Sequence, residues 1–199
     1  MPASVPVPGA HGAIDDRPLH ALLDERCAAM PDAPAIRHLV DGETSEELVT
    51  WSELSGRARR IAAWLMERRA AGKPVLLATA PGPEFIAGLF GCWHAGAIAV
   101  PAYPPRGGRH KRRMQAILTD SGAALAIGGG EMAHAEGVKT LVSVSLDDSA
   151  PRHDGEAIDH PGPCLLQYTS GSTAAPKGVM IGHSNFRAHF ASLECFTQL

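Results

Sequence analysis

One stretch of the chain, from Leu165 to Gly178, constrains the fold and chemistry more than any other. It reads LLQYTSGSTAAPKG: an apolar segment typical of a strand, a loop rich in hydroxyls and glycine, and a lysine at the far end. Gly171 can adopt backbone angles that other residues avoid, so consecutive N–H groups can turn toward one anion. Hydroxyl donors flank this glycine, at Thr169, Ser170, Ser172 and Thr173. Together with the mobile charge of Lys177, they predict a polyphosphate-binding loop.

The order of residues separates this loop from the Walker A motif, G-x-x-x-x-G-K-[ST]. Counting from Gly171, Pro176 precedes the lysine where Walker A has glycine, and Gly178 follows it where Walker A has serine or threonine. Walker A also opens a helix, whereas residues 178–181, GVMI, are typical of a second short strand. The alternative is an ordinary surface hairpin, since serine and glycine clusters are common in loops. The lysine and the two flanking strands favour a strand–loop–strand phosphate site.

Upstream of this loop, predicted strands alternate with predicted helices. Thr50 and Glu53 form a capping box ahead of an amphipathic helix, whose apolar stripe excludes Arg60. In the next predicted helix, Gly88 and Gly91 each cost about 1 kcal/mol, which indicates close packing there. Further strands are predicted at 75–79, 97–100, 123–127 and 141–144, and helices at 18–30, 84–95, 111–121 and 184–196. This alternation predicts an α/β fold with a largely parallel sheet and helices on its faces.

Composition and charge exclude several classes of protein. The 199 residues carry a net charge of −3 and 20% charged residues, so there is no nucleic-acid-binding signature. No apolar run is long enough to span a bilayer, and the N-terminus lacks the pattern of a secretory signal peptide. The four cysteines are widely spaced and the histidines show no metal-binding spacing. We therefore expect core thiols at Cys92 and Cys164, no metal site in this chain, and a cytoplasmic location.

Three segments resemble the adenylate-forming (AMP-binding) enzymes. Residues 168–180, YTSGSTAAPKGVM, resemble the signature loop of that family, and residues 85–101 and 50–54 resemble a helix–strand unit and an early helix start upstream of it. Gln167 and residues 100–106, VPAYPPR, resemble the fatty acyl-AMP ligase branch. Many members have a second glycine where this chain has Ala174, and fatty acyl-AMP ligases often lack it. The resemblance covers about residues 17–199.

The resemblance implies an ATP-dependent ligase that activates a fatty acid as its acyl-adenylate and releases pyrophosphate. The acyl group would pass to an acyl carrier protein or carrier domain, in fatty acid metabolism or in polyketide or lipopeptide biosynthesis. The implied ATP-phosphate contacts are Thr169, Ser170, Gly171, Ser172, Thr173, Lys177 and Gly178. Mg²⁺ would accompany ATP, with the family's best candidate ligand beyond Leu199.

Relative to that family, the chain is expected to be an N-terminal part. Residues 1–16 are predicted to be a mobile leader, and 17–199 a partial AMP-binding domain, truncated before the adenine site and the small C-terminal domain. No complete set of catalytic residues is expected here, and the chain alone is expected not to complete the reaction.

Several alternatives fit the same residues. The chain could belong to an acyl-CoA synthetase or an amino-acid adenylation domain, or be a truncated, non-catalytic remnant or interaction module. His183 either orients the loop or lines the acyl or nucleotide pocket, or it is a surface histidine at a helix start. The basic run 106–113, RGGRHKRR, either meets an acidic carrier protein or is a solvated helix start.

Overall fold

The structure, a computed structural model, describes residues 17–104, 108–128, 140–143, 151–169 and 176–197. The predicted leader at 1–16 lies outside the described residues. The helices are α1 (Leu19–Ala29), α2 (Trp51–Glu67), α3 (Pro83–His94), α4 (Gly108–Ser121) and α5 (His183–Thr197). The strands are β1 (Pro34–Leu39), β2 (Glu46–Thr50), β3 (Pro74–Ala78), β4 (Ile98–Pro101), β5 (Leu125–Gly128), β6 (Thr140–Ser143), β7 (Leu165–Thr169) and β8 (Lys177–Ile181).

Six of these strands form one sheet in the order β6-β5-β3-β4-β7-β8. All neighbours pair in parallel except β7 and β8, which pair antiparallel. β1 and β2 form a separate antiparallel pair that leads into α2. The prediction of an α/β fold with a largely parallel sheet is therefore confirmed.

The central strand β3 is buried on both faces of the sheet, as expected for a parallel strand. Along β3, Val75 and Leu77 belong to the core under α1, α2 and α3, whereas Leu76 and Ala78 belong to a second core under α4. The two sets alternate along the strand because successive side chains point to opposite faces. The predicted core thiols Cys92 and Cys164 are buried, and burial raises the pKa of each thiol to about 12.

Helix α2 begins as predicted but is more deeply covered. The Thr50 side chain accepts from the Glu53 N–H, and the Glu53 carboxylate accepts from the Thr50 N–H, which completes the capping box. The predicted stripe is buried at Leu54, Ala58, Ile61 and Leu65. Arg60 lies off this stripe, as predicted, but it is only 3% exposed. The helix therefore buries a broad part of its circumference, which extends beyond the stripe to Ser55, Gly56 and Arg60.

The two glycines of α3 allow close packing, as predicted. A Cβ at Gly91 would lie 2.6 Å from Ile61 Cγ2 and 3.0 Å from the carbonyl oxygen of Ala58, both on α2. A Cβ at Gly88 would lie 2.5 Å from Leu77 Cδ1 in the sheet. Because these two residues have no side chains, α3 can pack closely against α2 and against the sheet. Within the described residues, no helix has the length and apolarity that crossing a membrane requires.

Candidate functional site

The predicted strand–loop–strand unit is present as the β7–β8 hairpin. In its register Tyr168 pairs with Gly178, and Thr169 pairs with Lys177 at the open end. The side chains of Thr169 and Lys177 are both exposed. The hairpin thus brings a hydroxyl and an ammonium together at the base of the loop. The four loop residues Ser170, Gly171, Ser172 and Thr173 lie outside the described residues.

The hairpin opens at the carboxyl edge of the sheet. Since β7 runs parallel to β4, Thr169 lies at the same edge as the carboxyl ends of β3, β4 and β5. Open α/β sheets bind their ligands at this edge, where loops follow the strands. The position of the hairpin therefore agrees with a ligand-binding role.

A cavity of about 290 Å³ lies at the same edge, beside the hairpin. Its apolar wall includes Phe85 and Ile117, together with two prolines and an alanine. Arg113 and Gln167 are among its polar groups. Its described lining consists of Thr79, Pro81, Phe85, Pro101, Ala102, Tyr103, Arg113, Ile117, Gln167 and Tyr168. A mainly apolar cavity with a few convergent polar groups is typical of a small-molecule site.

Tyr168 links the hairpin to helix α4 through both its side chain and its backbone. Its ring is 6% exposed and belongs to the core under α4. Its hydroxyl donates to Asp120 Oδ2 at 2.6 Å, and Arg113 Nη2 donates to its carbonyl oxygen at 3.3 Å. Burial, and then the carboxylate of Asp120, raise the pKa of Tyr168 to about 12.

Gly178 lies against the ring of Tyr168. A Cβ at Gly178 would lie 2.9 Å from Tyr168 Cζ, closer than real Cβ atoms approach. The ring can therefore lean across β8 only because its cross-strand partner lacks a side chain. The sequence interpretation placed Gly178 with the phosphate-binding residues, and this contact shows a steric requirement for glycine in the hairpin itself.

The described residues fit a phosphate but do not include a metal site. Lys177 forms no ion pair within the part of the chain that the structure describes, so its charge is available to an anion. Among the same residues, no group of three His, Cys, Asp or Glu side chains could hold a metal ion. Asp120, a carboxylate close to the hairpin, already accepts the Tyr168 hydroxyl.

His183 lies apart from the hairpin's open end. It is half-buried at the start of α5, and its Nδ1 accepts a hydrogen bond from the Leu19 N–H at 3.2 Å. Its ring meets that of Trp93 edge-on at a centroid distance of 5.7 Å. Burial, followed by the nearby charge of His20, lowers its pKa to about 4. These contacts join α5 to α1 and α3, and the role of His183 in an acyl or nucleotide pocket stays a prediction.

A partly buried polar cluster that the sequence interpretation missed includes His183. We call it the histidine cluster; its members are His20, Asp24, Arg59, His94 and His183. Arg59 Nη2 lies 2.7 Å from Asp24 Oδ1, and His94 Nε2 lies 3.5 Å from the same oxygen. The His20 ring is 5.1 Å from that of His94 and 6.2 Å from that of His183. The members come from α1, α2, α3 and α5, so no local spacing in the sequence reveals them.

Comparisons with known proteins find relatives among the fatty-acid ligases. A putative fatty-acid–CoA ligase of Mycobacterium tuberculosis is 32% identical over 194 residues, which cover 90% of this chain and 34% of that protein. A medium-chain-fatty-acid–[acyl-carrier-protein] ligase of Moorena producens is 34% identical over 184 residues, 84% of this chain and 31% of that protein. The chain therefore spans about a third of the length of these relatives.

A solved structure extends the likeness to three dimensions. The fatty acyl-adenylate ligase of L. pneumophila, in complex with acyl adenylate and pyrophosphate, superposes with a TM-score of 0.77 at 29% identity. The match covers 89% of this chain and 32% of that one. The family model for the AMP-binding enzymes matches residues 23–198, which include every described strand and most of α1. The chain belongs to the AMP-binding enzyme family.

Proposed function

We propose that this chain is the ATP-phosphate-binding part of a ligase that activates a fatty acid as its acyl-adenylate. The observation that carries the proposal is the pairing of Thr169 with Lys177 at the open end of the β7–β8 hairpin, at the carboxyl edge of a parallel sheet. It is supported by relatives named as fatty-acid ligases, one of which was solved with acyl adenylate and pyrophosphate.

In this reaction a carboxylate oxygen attacks the α-phosphorus of ATP, and pyrophosphate leaves. Negative charge grows on the β- and γ-phosphates as the bond to the leaving group breaks, so fixed donors at that position lower the barrier. We assign this task to the ammonium of Lys177, the hydroxyl of Thr169, and the loop residues Ser170, Gly171, Ser172 and Thr173. Mg²⁺ would add further positive charge to the phosphates when bound with ATP.

The cavity beside the hairpin is our candidate for part of the acyl pocket wall. Phe85, Ile117 and Pro81 give it an apolar wall, suited to a hydrocarbon chain. Its position next to Tyr168 and Gln167 brings that wall close to the strand that leads into the phosphate loop. A substrate bound there would have its apolar part in the cavity and its carboxylate toward ATP.

For the acceptor of the acyl group, we propose a carrier protein rather than coenzyme A. One relative is named as an acyl-carrier-protein ligase, while another is named as a CoA ligase. The start of α4 presents exposed His110, Lys111 and Arg112, which suit an acidic partner. We do not include Arg113 in this surface, since it donates a hydrogen bond to the Tyr168 carbonyl. The cytoplasmic location stays a prediction.

Replacing Lys177 by methionine tests the ATP site directly. We expect Lys177→Met to weaken ATP and pyrophosphate binding at least tenfold in calorimetric titrations, because a charge-assisted contact is lost. Lys73→Met is the matched control; Lys73 is exposed and lies at the amino edge of the sheet, before β3. Equal ATP affinity in wild type and Lys177→Met would refute the assignment. A wild-type chain without any affinity for ATP would favour the non-catalytic remnant.

Charge reversal at the start of α4 tests the acceptor. We expect Arg112→Glu and Lys111→Glu to weaken binding to a holo-carrier protein several-fold, with a larger effect at low salt, because the attraction is between exposed charges. Lys73→Glu, at the opposite edge of the sheet from the start of α4, controls for the change in net charge. Carrier affinity that responds equally to all three reversals, or to none, would contradict a carrier-binding surface at this place.

A further inference from the structure

The β7–β8 hairpin is attached to helix α4 by two residues, Arg113 and Asp120, which both hydrogen-bond to Tyr168. We propose that Arg113 and Asp120 are positioning residues, which fix the β7–β8 hairpin on α4 and thereby set the place of the phosphate loop. The consequence for ATP rests on the proposed function, whereas the fastening itself does not. We call Arg113, Asp120 and Tyr168 the α4 clamp.

The geometry of α4 explains why these two residues act on one partner. They are seven residues apart, so they lie on the same face of the helix, about 10 Å apart along its axis. Asp120 reaches the hydroxyl end of Tyr168, and Arg113 reaches its carbonyl oxygen. The tyrosine is thus held at both ends by one helix, with its ring buried between them.

The hydroxyl bond is the stronger of the two contacts. Its length of 2.6 Å falls in the range of charge-assisted O–H···O⁻ bonds, which are about twice as strong as neutral ones. The 3.3 Å contact from Arg113 is longer but carries a full positive charge. It satisfies the carbonyl of the last buried residue of β7, directly before Thr169.

The clamp acts at the base of the phosphate loop because of the hairpin register. Tyr168 pairs with Gly178, and the next pair, Thr169 with Lys177, carries the proposed phosphate donors. The missing side chain of Gly178 lets the ring reach across both strands. A shift of Tyr168 would therefore move both donors, which sit on the two arms of the hairpin.

The fastening is tested by amide hydrogen exchange of the 199-residue chain, with residues 165–169 and 177–181 as the reporters. We expect Asp120→Asn and Arg113→Gln to speed exchange there, about tenfold for Asp120→Asn, which replaces a charge-assisted hydrogen bond by a neutral one. Tyr168→Phe, which removes this bond, should speed exchange at least as much, and the double variant Tyr168→Phe/Asp120→Asn should be no faster than Tyr168→Phe, because both changes act on the same bond. Asp154→Asn and Lys73→Gln, at exposed positions outside the clamp, should exchange as the wild type does.

Fluorine NMR distinguishes loss of the Tyr168–Asp120 hydrogen bond from a general loss of stability. The chain has two tyrosines, and Tyr103 is 74% exposed, so 3-fluorotyrosine labelling gives one resonance for the clamp and one internal reference. We expect Asp120→Asn to move the Tyr168 resonance and to lower the pH at which it titrates, while Tyr103 is unchanged. If Asp120→Asn leaves the Tyr168 resonance unchanged, or if the hairpin amides of the clamp variants exchange as fast as those of the wild type, the fastening is overturned.

ATP binding tests the consequence. We expect Asp120→Asn and Arg113→Gln to weaken ATP affinity about three- to tenfold, although neither residue belongs to the phosphate loop. Faster hairpin exchange with unchanged ATP affinity would overturn the positioning role, provided that Lys177→Met weakens binding at least tenfold in the same assay. If the wild type binds no ATP, the proposed function fails, and the exchange and fluorine measurements still decide the clamp.

Discussion

The histidine cluster makes the stability of this protein depend on pH. Its three histidines belong to α1, α3 and α5, and His94 is 0% exposed. Burial lowers the pKa of His94 to about 4, although the neighbouring Asp24 acts in the opposite direction. Burial also lowers the pKa values of His20 and His183. The cluster also contains Arg59, and the other charged groups close to its histidines are His153, Asp159 and Arg187.

The direction of the effect follows from proton binding. Between about pH 4 and 6.5 the unfolded chain binds protons at His94 and His183 that the folded chain does not bind, so the free energy of unfolding falls as the pH falls. Each pKa unit corresponds to about 1.4 kcal/mol. The pKa of His94 is lowered from 6.5 to about 4. As the pH falls from 7.5 to below 4, this group therefore decreases the free energy of unfolding by roughly 3 kcal/mol, and about 2 kcal/mol of that decrease has occurred by pH 5.

Urea unfolding at pH 7.5 and pH 5, at constant ionic strength, measures this loss. We expect wild type to lose about 2 kcal/mol or more between the two pH values. His94→Gln removes the titrating group, so its loss should be clearly smaller, even if the variant is less stable at pH 7.5. His189→Gln, at an exposed position of α5, is the control and should behave as wild type does. An equal loss in wild type and His94→Gln would refute the reasoning.

Two glycine substitutions test the packing around the sheet. Gly91→Ala gains about 1 kcal/mol of helix propensity but overpacks against a backbone oxygen of α2, so we expect a net loss of about 1 kcal/mol in urea unfolding. Gly108→Ala, with no atom within 4 Å of the added Cβ, should instead be neutral or stabilising, and a stabilised Gly91→Ala would contradict the packing. Gly178→Ala should displace the tyrosine ring of the hairpin and weaken ATP binding several-fold; ATP affinity equal to that of wild type would show that the ring moves at no cost.

Local patterns predicted most of the fold. The capping box at Thr50 and Glu53 and the apolar stripe of α2 depend on neighbours three and four residues away, so the sequence shows them directly. The two flanking strands of the phosphate loop were predicted for the same reason. The structure adds that these two strands, β7 and β8, pair antiparallel.

Contacts between distant elements could not be predicted from these patterns. The burial of Arg60 was not predicted, because the sequence shows the apolar stripe of one helix but not how much of its circumference the neighbouring elements cover. The histidine cluster brings together residues 20, 94 and 183, which have no common spacing. Arg113 appeared to belong to a solvated or carrier-binding run, and only its contact with the Tyr168 carbonyl assigns it to the hairpin.

The strand that leads into the phosphate loop is anchored on both faces of the sheet. At its start, Leu165 belongs to the core under α1, α2 and α3, and the Trp93 indole N–H donates to the Cys164 carbonyl at 3.0 Å. At its end, Tyr168 belongs to the core under α4. Donors that stabilise developing charge act best when they need no rearrangement during the reaction. Because two separate cores must both form to hold β7, the position of Thr169 depends on buried contacts well away from any phosphate, and a stability defect in either core should also reduce ATP affinity.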